Sequence, residues 1–406
     1  MSDLDDAAVA TGRKDSLFAE DWAARHSDIA ALVDGRSVLV AGGAGTIGAA
    51  CVRLIIELGV RRLHIIDLDE NGLARLAREI RAAMPQAGEV ELMFLAADFG
   101  DYPAKAHLRA AGPFDLVLDF AAVKHVRSEK NVPALLHMIA TNVVKQDRFL
   151  RAIEAQRHEC RCFAVSTDKA ADPANFMGAS KRLMEEVLFA LGDRRRDIVT
   201  CSSRFANVAF SSGSLLESFV LRLQAGRPLA APRDTRRFFL SAREAAEICL
   251  LALVACPSGQ LLVPRLNAER HAIELADVAQ AFLHRAGFQP QLVEDVAEAS
   301  ALLAAGSAPG APYPIVLTPR DTAGEKPTEV FVGEGERLTS IRSSSLEALA
   351  PLRVPAEVLD AVVSQLADRV DGRIPTAAME DIGRIVGSAV PNFKHIDGEA
   401  QLDDRL

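Results

Sequence analysis

This chain of 406 residues is poor in tyrosine: it has two, Tyr102 and Tyr313. A reaction that needs a phenol has to use one of them. The six cysteines, Cys51, Cys160, Cys162, Cys201, Cys249 and Cys256, form no C-x-x-C pair and match no zinc spacing. They read as core residues in apolar surroundings. The nine histidines include no H-x-x-x-H or H-x-H, so no metal site is expected. The longest apolar stretch, Ile248 to Cys256, is far short of the ~20 residues that a membrane-spanning helix requires. Residues 1–15 are acidic and lack an apolar core, which does not fit a secretion signal. Positive charge is in deficit: Lys+Arg 46 against Asp+Glu 55 leaves a net charge of −9 and a pI near 5.6. Bulk charge therefore attracts no nucleic acid. These absences lead to the expectation of a soluble cytoplasmic protein with no nucleic-acid partner and no membrane span.

What is present is an ordinary globular balance, 49% hydrophobic and 25% charged, which excludes extended disorder. The length suits one large domain with appendages, or two domains sharing a core. Residues 1–14 read as a loose polar tail. From Asp15 to Val33, the residues Leu17, Trp22, Ile29, Leu32 and Val33 recur at helical spacing. Strand patterns then follow at 37–41, 62–67, 91–98, 115–122, 162–167 and 197–204, with helical patterns such as 49–59 and 73–84 between them. Short β-branched runs alternating with helices specify a parallel, doubly wound α/β sheet covered on both faces. After about residue 205 the rhythm loosens. Helices are expected at 214–226 and 242–255, an Ala-rich helix running into a loop at 298–312, and two more helices at 354–370 and 376–390. No repeat of 20–50 residues is present.

The first strand runs into Gly42-Gly43-Ala44-Gly45-Thr46-Ile47-Gly48 and then directly into a helix. Glycines at 42, 45 and 48 give a tight turn, room for a pyrophosphate, and close helix–strand contact. Amide groups of Thr46, Ile47 and Gly48 at the helix start then face the phosphates. The second strand ends in Asp67, at the offset expected of a carboxylate holding the adenosine ribose hydroxyls. Leu68-Asp69-Glu70 adds negative charge and no arginine, so NAD is favoured over NADP. Asp98, at the end of the third strand, is a candidate for the adenine, and Ala121 for the nicotinamide side of the pocket. The expected fold is therefore Rossmann-type.

A later strand ends in Ser166-Thr167-Asp168-Lys169-Ala170, and after a turn Phe176-Met177-Gly178-Ala179-Ser180-Lys181-Arg182 opens a helix. The motifs up to this point resemble the short-chain dehydrogenase/reductase superfamily, in which this helix carries a tyrosine and a lysine four apart, on one face. The tyrosine exchanges the substrate's hydroxyl proton, and the lysine lowers its pKa and holds the nicotinamide ribose. Here Lys181 is present, but Met177 stands where the phenol belongs. Neither tyrosine replaces it, because Tyr102 is followed four residues later by Ala106 and Tyr313 by Leu317. What remains is an adjacent acid and amine, Asp168 and Lys169, at the C-terminal end of a strand, where open α/β sheets bind their ligands.

The string from Ser166 to Arg182 resembles the nucleotide-activated N-acetylhexosamine 4,6-dehydratases, the polysaccharide-biosynthesis (CapD-like) branch of the extended short-chain dehydrogenases. Phe120-Ala121-Ala122-Val123-Lys124-His125-Val126, Thr141-Asn142-Val143, Arg204-Phe205-Ala206-Asn207-Val208, Arg237-Phe238-Phe239 and Gly324-Glu325-Lys326 resemble further motifs of that branch. Ala41 and Phe120 depart from its usual pattern, and the resemblance covers roughly residues 36–335. It implies division into an N-terminal helical extension (1–35), an NAD-binding region (36–205), an interleaved substrate-binding region (206–335) and a C-terminal helical extension (336–406). It also implies a redox-neutral cycle on a UDP- or GDP-linked N-acetylhexosamine: oxidation at C4, loss of water across C5–C6, and reduction at C6. Thr167 would hydrogen-bond the C4 oxygen. Asp168 and Lys169 would share the acid and base roles, in an order the sequence leaves open. Lys124, Asn207, Arg237 and Lys326 would face the substrate's pyrophosphate. A homo-oligomer is expected. The competing readings are a nucleotide-sugar epimerase or reductase, and a non-catalytic NAD-binding sensor.

Overall fold

The computed structural model describes residues 3–124, 129–304, 306, 308–319 and 329–395, with side chains from Ala7 onward. A nine-stranded sheet forms its centre: β1 (Ser37–Ala41), β2 (Arg62–Asp67), β3 (Glu91–Ala96), β4 (Leu116–Asp119), β5 (Cys160–Val165), β6 (Ile198–Ser203), β7 (Gln260–Pro264), β8 (Arg337–Thr339) and β9 (Leu346–Ala350). The order across the sheet is 3-2-1-4-5-6-7-9-8. Strands β1 to β7 run parallel. β9 adds antiparallel to β7, and β8 antiparallel to β9. The expected Rossmann-type α/β fold is present. The strand order reverses between β1 and β4, the place where open α/β sheets bind ligands at the strand C-termini.

The core strands are uniform in burial because both sheet faces are covered; every residue of β1 and of β4 is buried. One face packs on the helices Ala19–Val33, Thr46–Glu57 and Ala242–Ala255, where Ile29, Val52, Ile55, Leu250 and Leu251 meet Val38, Val40 and Leu118. The other face packs on Val132–Ile139, Gln146–Glu154 and Phe176–Arg194. All six cysteines are buried and none is in a disulfide. After β6 the chain builds two small three-stranded sheets, one from Asn207–Val208, Arg236–Leu240 and Ala272–Glu274, the other from Leu229–Pro232, Gln289–Val293 and Pro312–Thr318. Between them β7 returns to the central sheet. No helix among the described residues is long and apolar enough to cross a membrane.

Two terminal readings are corrected. The stretch expected to be a loose tail contains a helix, Asp3–Thr11, with Ala7 and Ala10 buried. Arg13 anchors it, donating to both oxygens of Glu244 at 2.9–3.0 Å and to the Phe239 carbonyl at 2.9 Å. The C-terminal extension is not helical throughout, since β8 and β9 complete the central sheet. Its helices Ala356–Val370 and Met379–Gly387 lie over the Val132–Glu154 and Phe176–Arg194 segments, burying Leu359, Val362, Leu366, Ile382 and Val386.

A buried ion network ties these parts together. Arg204, just past β6, is fully buried and donates through Nε and Nη2 to the two oxygens of Glu185 at 2.7 Å each. Its Nη1 and Nη2 also reach Glu336, one residue before β8. Burial alone would push the Glu185 carboxyl up, but Arg204, Arg182 and the Ser166 hydroxyl outweigh it and hold the group below its ordinary value. Removing one partner leaves a buried charge uncompensated. Glu185→Ala is therefore expected to lower unfolding free energy by about 3–5 kcal/mol in urea titrations. Glu154→Ala, which breaks a part-exposed pair with Arg194, should cost no more than about 1 kcal/mol.

Candidate active site

The glycine turn follows from the sheet register. Ala41 of β1 lies beside Asp119 of β4, so the chain after β1 must pass the backbone after β4 at close range. Gly42 has φ +73°, and a Cβ there would sit 2.5 Å from the Ala121 nitrogen. A Cβ on Gly48 would sit 2.2 Å from the Gly42 oxygen, so the Thr46–Glu57 helix can approach β1 only as glycine. Gly45 differs. It is exposed, has φ −71°, and a Cβ would meet only the Gly42 oxygen at 3.4 Å. No protein group requires glycine at 45, and no side chain caps the helix that starts at Thr46. The cradle therefore presents backbone N–H groups and open space, which fits the pyrophosphate of a dinucleotide. Ile47 packs into the core behind the turn, and the Ser212 N–H donates to Thr46 Oγ1 at 3.4 Å.

Asp67 is fixed against this turn: Oδ2 accepts from the Ala44 N–H at 2.8 Å and Oδ1 from the Asp69 N–H at 2.9 Å. Asp98 lies just past β3, with Oδ1 on the Gly100 N–H at 3.0 Å and Oδ2 on Lys145 Nζ at 2.5 Å. The Ala121 N–H donates to Asp119 Oδ1 at 2.8 Å.

Asp168–Ala170 form one turn of 3-10 helix after β5, with Thr167 at its N-cap. Thr167 Oγ1 donates to Asp168 Oδ1 at 2.8 Å, and Lys169 Nζ lies 3.3 and 3.4 Å from the two Asp168 oxygens. The Asp168 side chain is 8% exposed and that of Lys169 40%, so the acid faces inward and the amine bridges to the opening. Met177 and Lys181, one turn apart on the Phe176–Arg194 helix, are both buried. Asn175 caps that helix through the Gly178 N–H, and Glu129 accepts from the N–H groups of Phe176 (3.0 Å) and Met177 (2.7 Å). Burial brings Lys181 down to about 8, against the pull of Asp119 and Glu185. Burial pushes Asp119 up to about 7, against the Ala121 N–H and Lys181.

The described groups among those expected to face a pyrophosphate separate into two sets. Asn207 and Arg237 come together on Glu329: Asn207 Nδ2 donates to Glu329 Oε1 at 2.8 Å, and Arg237 Nε lies 3.7 Å from the same oxygen. Lys124 is exposed, within electrostatic reach of Glu217. Lys326, with Gly324 and Glu325, lies outside the described residues, as does His125.

Sequence reasoning missed Asp119, Glu185 and Glu329. Asp119 carried a signal, an acid ending a strand otherwise apolar. Glu329 carried none, because its partners Asn207 and Arg237 are far away in the chain. Asn142, noted only as part of a motif, braces the pocket: its side chain bonds both the N–H and the carbonyl of Val123, and donates to Ser180 Oγ, all at 2.9 Å. It sits in a π-helical turn, Ala140–Lys145.

Residues 38–317 match the family of polysaccharide biosynthesis proteins. The chain belongs to that family. Similar proteins include the uncharacterized membrane protein MJ1061 of Methanocaldococcus jannaschii, 27% identical over 66% of this chain and 78% of its own length. The probable polysaccharide biosynthesis protein EpsC of Bacillus subtilis is 25% identical over 66% of this chain, which spans 43% of EpsC. The UDP-glucose 4-epimerase of Rickettsia canadensis is 27% identical over 59% of this chain and 68% of its own. Among solved structures, Pen from Bacillus thuringiensis shares the fold with a TM-score of 0.59 at 18% identity, covering 82% of this chain and 98% of Pen. The UDP-Glc/GlcNAc 4-epimerase of Campylobacter jejuni does so with a TM-score of 0.53 at 17% identity, covering 84% and 100%. For this member of the polysaccharide biosynthesis family the shared fold places the glycine turn and the Thr167–Lys169 turn at one end of a single sheet.

Two outcomes test the site's construction. Gly42→Ala should lower the melting temperature sharply, whereas Gly45→Ala should leave it unchanged in a calorimetric scan. Asp119 binds a proton in the folded protein at a pH where the unfolded chain has lost it, so its contribution is complete below about 4 and disappears as pH rises through about 7. Asp119→Asn should therefore gain stability relative to the native chain across that interval, measured by urea midpoints at successive pH values.

Proposed function

We propose that this protein is an NAD-dependent dehydratase of nucleotide-linked N-acetylhexosamines, converting a UDP- or GDP-linked sugar to its 4-keto-6-deoxy form. Support comes chiefly from the hydrogen-bonded series Thr167–Asp168–Lys169 beside a helix that carries Met177 in the place of a phenol. The Gly42–Gly48 cradle and the ribose-facing position of Asp67 suit the dinucleotide, and the acidic Leu68-Asp69-Glu70 stretch disfavours a 2′-phosphate. Lys181 would hold the nicotinamide ribose and Asp98 the adenine. When bound, NAD supplies a reversible store for the hydride that leaves C4 and returns at C6.

The chain's own groups then account for the protons. Thr167 Oγ1 receives the C4 hydroxyl proton while passing its own to Asp168 Oδ1, along the 2.8 Å bond between them. The 4-ketone acidifies the C5 proton, which Lys169 Nζ takes in its unprotonated form, as the free amine. Asp168, now protonated, gives that proton to the C6 oxygen as the C–O bond breaks and water leaves. Lys169 returns a proton to C5. No net proton is gained or lost.

The epimerase relatives favour a second reading in which the C4 proton returns to the oxygen it left. That cycle needs Thr167 and Asp168 but leaves Lys169 without a role. The six buried, unbridged cysteines suit work in the reducing cytoplasm.

Incubation with NAD and UDP- or GDP-N-acetylglucosamine, followed by mass spectrometry, should give a product lighter by one water, with no accumulation of NADH. Lys169→Ala should abolish that product while NAD binding persists. An N-acetylgalactosamine product of unchanged mass would establish the epimerase reading instead.

A further inference from the structure

Glu329 is a carboxylate of the site that the reaction scheme leaves unused. Its side chain is 5% exposed. Oε1 accepts from Asn207 Nδ2 at 2.8 Å and lies 3.7 Å from Arg237 Nε, while Oε2 is buried and has no hydrogen-bond partner among the described residues. Among the described residues, the charged groups that act on it are Arg237 on the Arg236–Leu240 strand and Asp168 and Lys169 on the turn after β5. Burial pushes its carboxyl up, Asp168 adds to that, and Arg237 is the principal opposing charge, with a smaller contribution from Lys169.

On the reading of the substrate as a nucleotide sugar, Asn207 and Arg237 also bind its diphosphate. A diphosphate that draws on the same amide and guanidinium competes with Glu329 for their N–H groups. The diphosphate carries more charge and offers the guanidinium a paired acceptor. Once Arg237 turns to it, Glu329 has lost its main compensating cation and gained two negative charges nearby, and both changes favour the neutral acid.

We propose that Glu329 takes up a proton when a nucleotide diphosphate engages Arg237 and Asn207, so that substrate binding and protonation of this carboxyl are linked. This rests on the reading of the substrate as a nucleotide sugar, but not on which reaction follows. A neutral Glu329 removes one negative charge from beside Asp168 and Lys169. Glu329 is thus a positioning residue that tunes Asp168 by its charge state.

The test is proton uptake on mixing NAD-loaded protein with UDP- or GDP-N-acetylglucosamine in weak buffer containing an indicator dye. Neither dehydration nor epimerisation changes the proton count, and the diphosphate diester does not titrate near neutrality, so the dye reads binding-linked protonation alone. The native chain should take up a substantial fraction of a proton per site near neutral pH. Its KM should rise with pH, by up to about tenfold per unit if one proton is linked. Glu329→Gln, which keeps an acceptor for Asn207, should abolish the uptake and flatten the KM profile. Glu329→Asp should retain part of both. Binding without uptake, or uptake undiminished in Glu329→Gln, would overturn the inference. Failure to bind either nucleotide sugar would overturn the reading of the substrate and the inference with it.

Discussion

The Glu185 carboxylate is the point on which the site's geometry depends. One oxygen takes the Ser166 hydroxyl and Arg204 Nε, and the other takes Arg204 Nη2 and Arg182. Ser166 immediately precedes Thr167, Arg204 follows β6, and Glu185 lies one turn beyond Lys181. A single buried anion therefore fixes the reactive turn, the neighbouring strand end and the helix carrying Lys181 relative to one another. Two charges in an apolar interior are expensive unless their geometry is fully satisfied. Here every oxygen of Glu185 has at least two donors, so the cost of desolvation is converted into a narrow choice of positions.

Charge in the pocket follows from that arrangement. Glu185 and Asp119 are the anions acting on Lys181, and burial alone would make all three neutral. The outcome is a lysine and an aspartate that both titrate near neutrality, behind a methionine that cannot titrate at all. On the turn after β5, next to the helix that carries Met177, the Thr167 hydroxyl is bonded to an acid, Asp168.

Much of this was legible in the sequence. Strands β1, β2 and the helix Ala242–Ala255 match their expected ranges because burial on both sheet faces, and on all sides of that helix, writes short runs rich in apolar residues. The glycine turn was legible because sterics permit nothing else at 42 and 48. Leu346–Ala350 was not, since Leu-Glu-Ala-Leu-Ala has helical propensity and is a strand only through pairing with β7. The Asp3–Thr11 helix was hidden for a similar reason: a short Ala-rich segment is marginal alone and is ordered by its docking. Buried ionic partners are the least legible class, because each is an ordinary surface residue until the fold supplies its counter-charge.

The strands that sequence reasoning missed are also those that complete the site. Glu336 binds Arg204 one residue before β8, and the Phe331 carbonyl accepts from the same guanidinium at 3.1 Å. Glu329 lies two residues upstream of Phe331, so the contacts that hold the C-terminal segment to Arg204 also fix where its backbone enters the pocket. The pairing of β8 with β9 and of β9 with β7 fixes that segment from the other side. Were the hairpin to slip by one residue, Glu336 would leave Arg204, a fully buried guanidinium would lose half its compensation, and Glu329 would be carried away from Asn207. Register in an edge hairpin is weakly specified by side-chain alternation alone. In this chain the buried arginine supplies the missing specification, and so fixes the position of Glu329 from a distance.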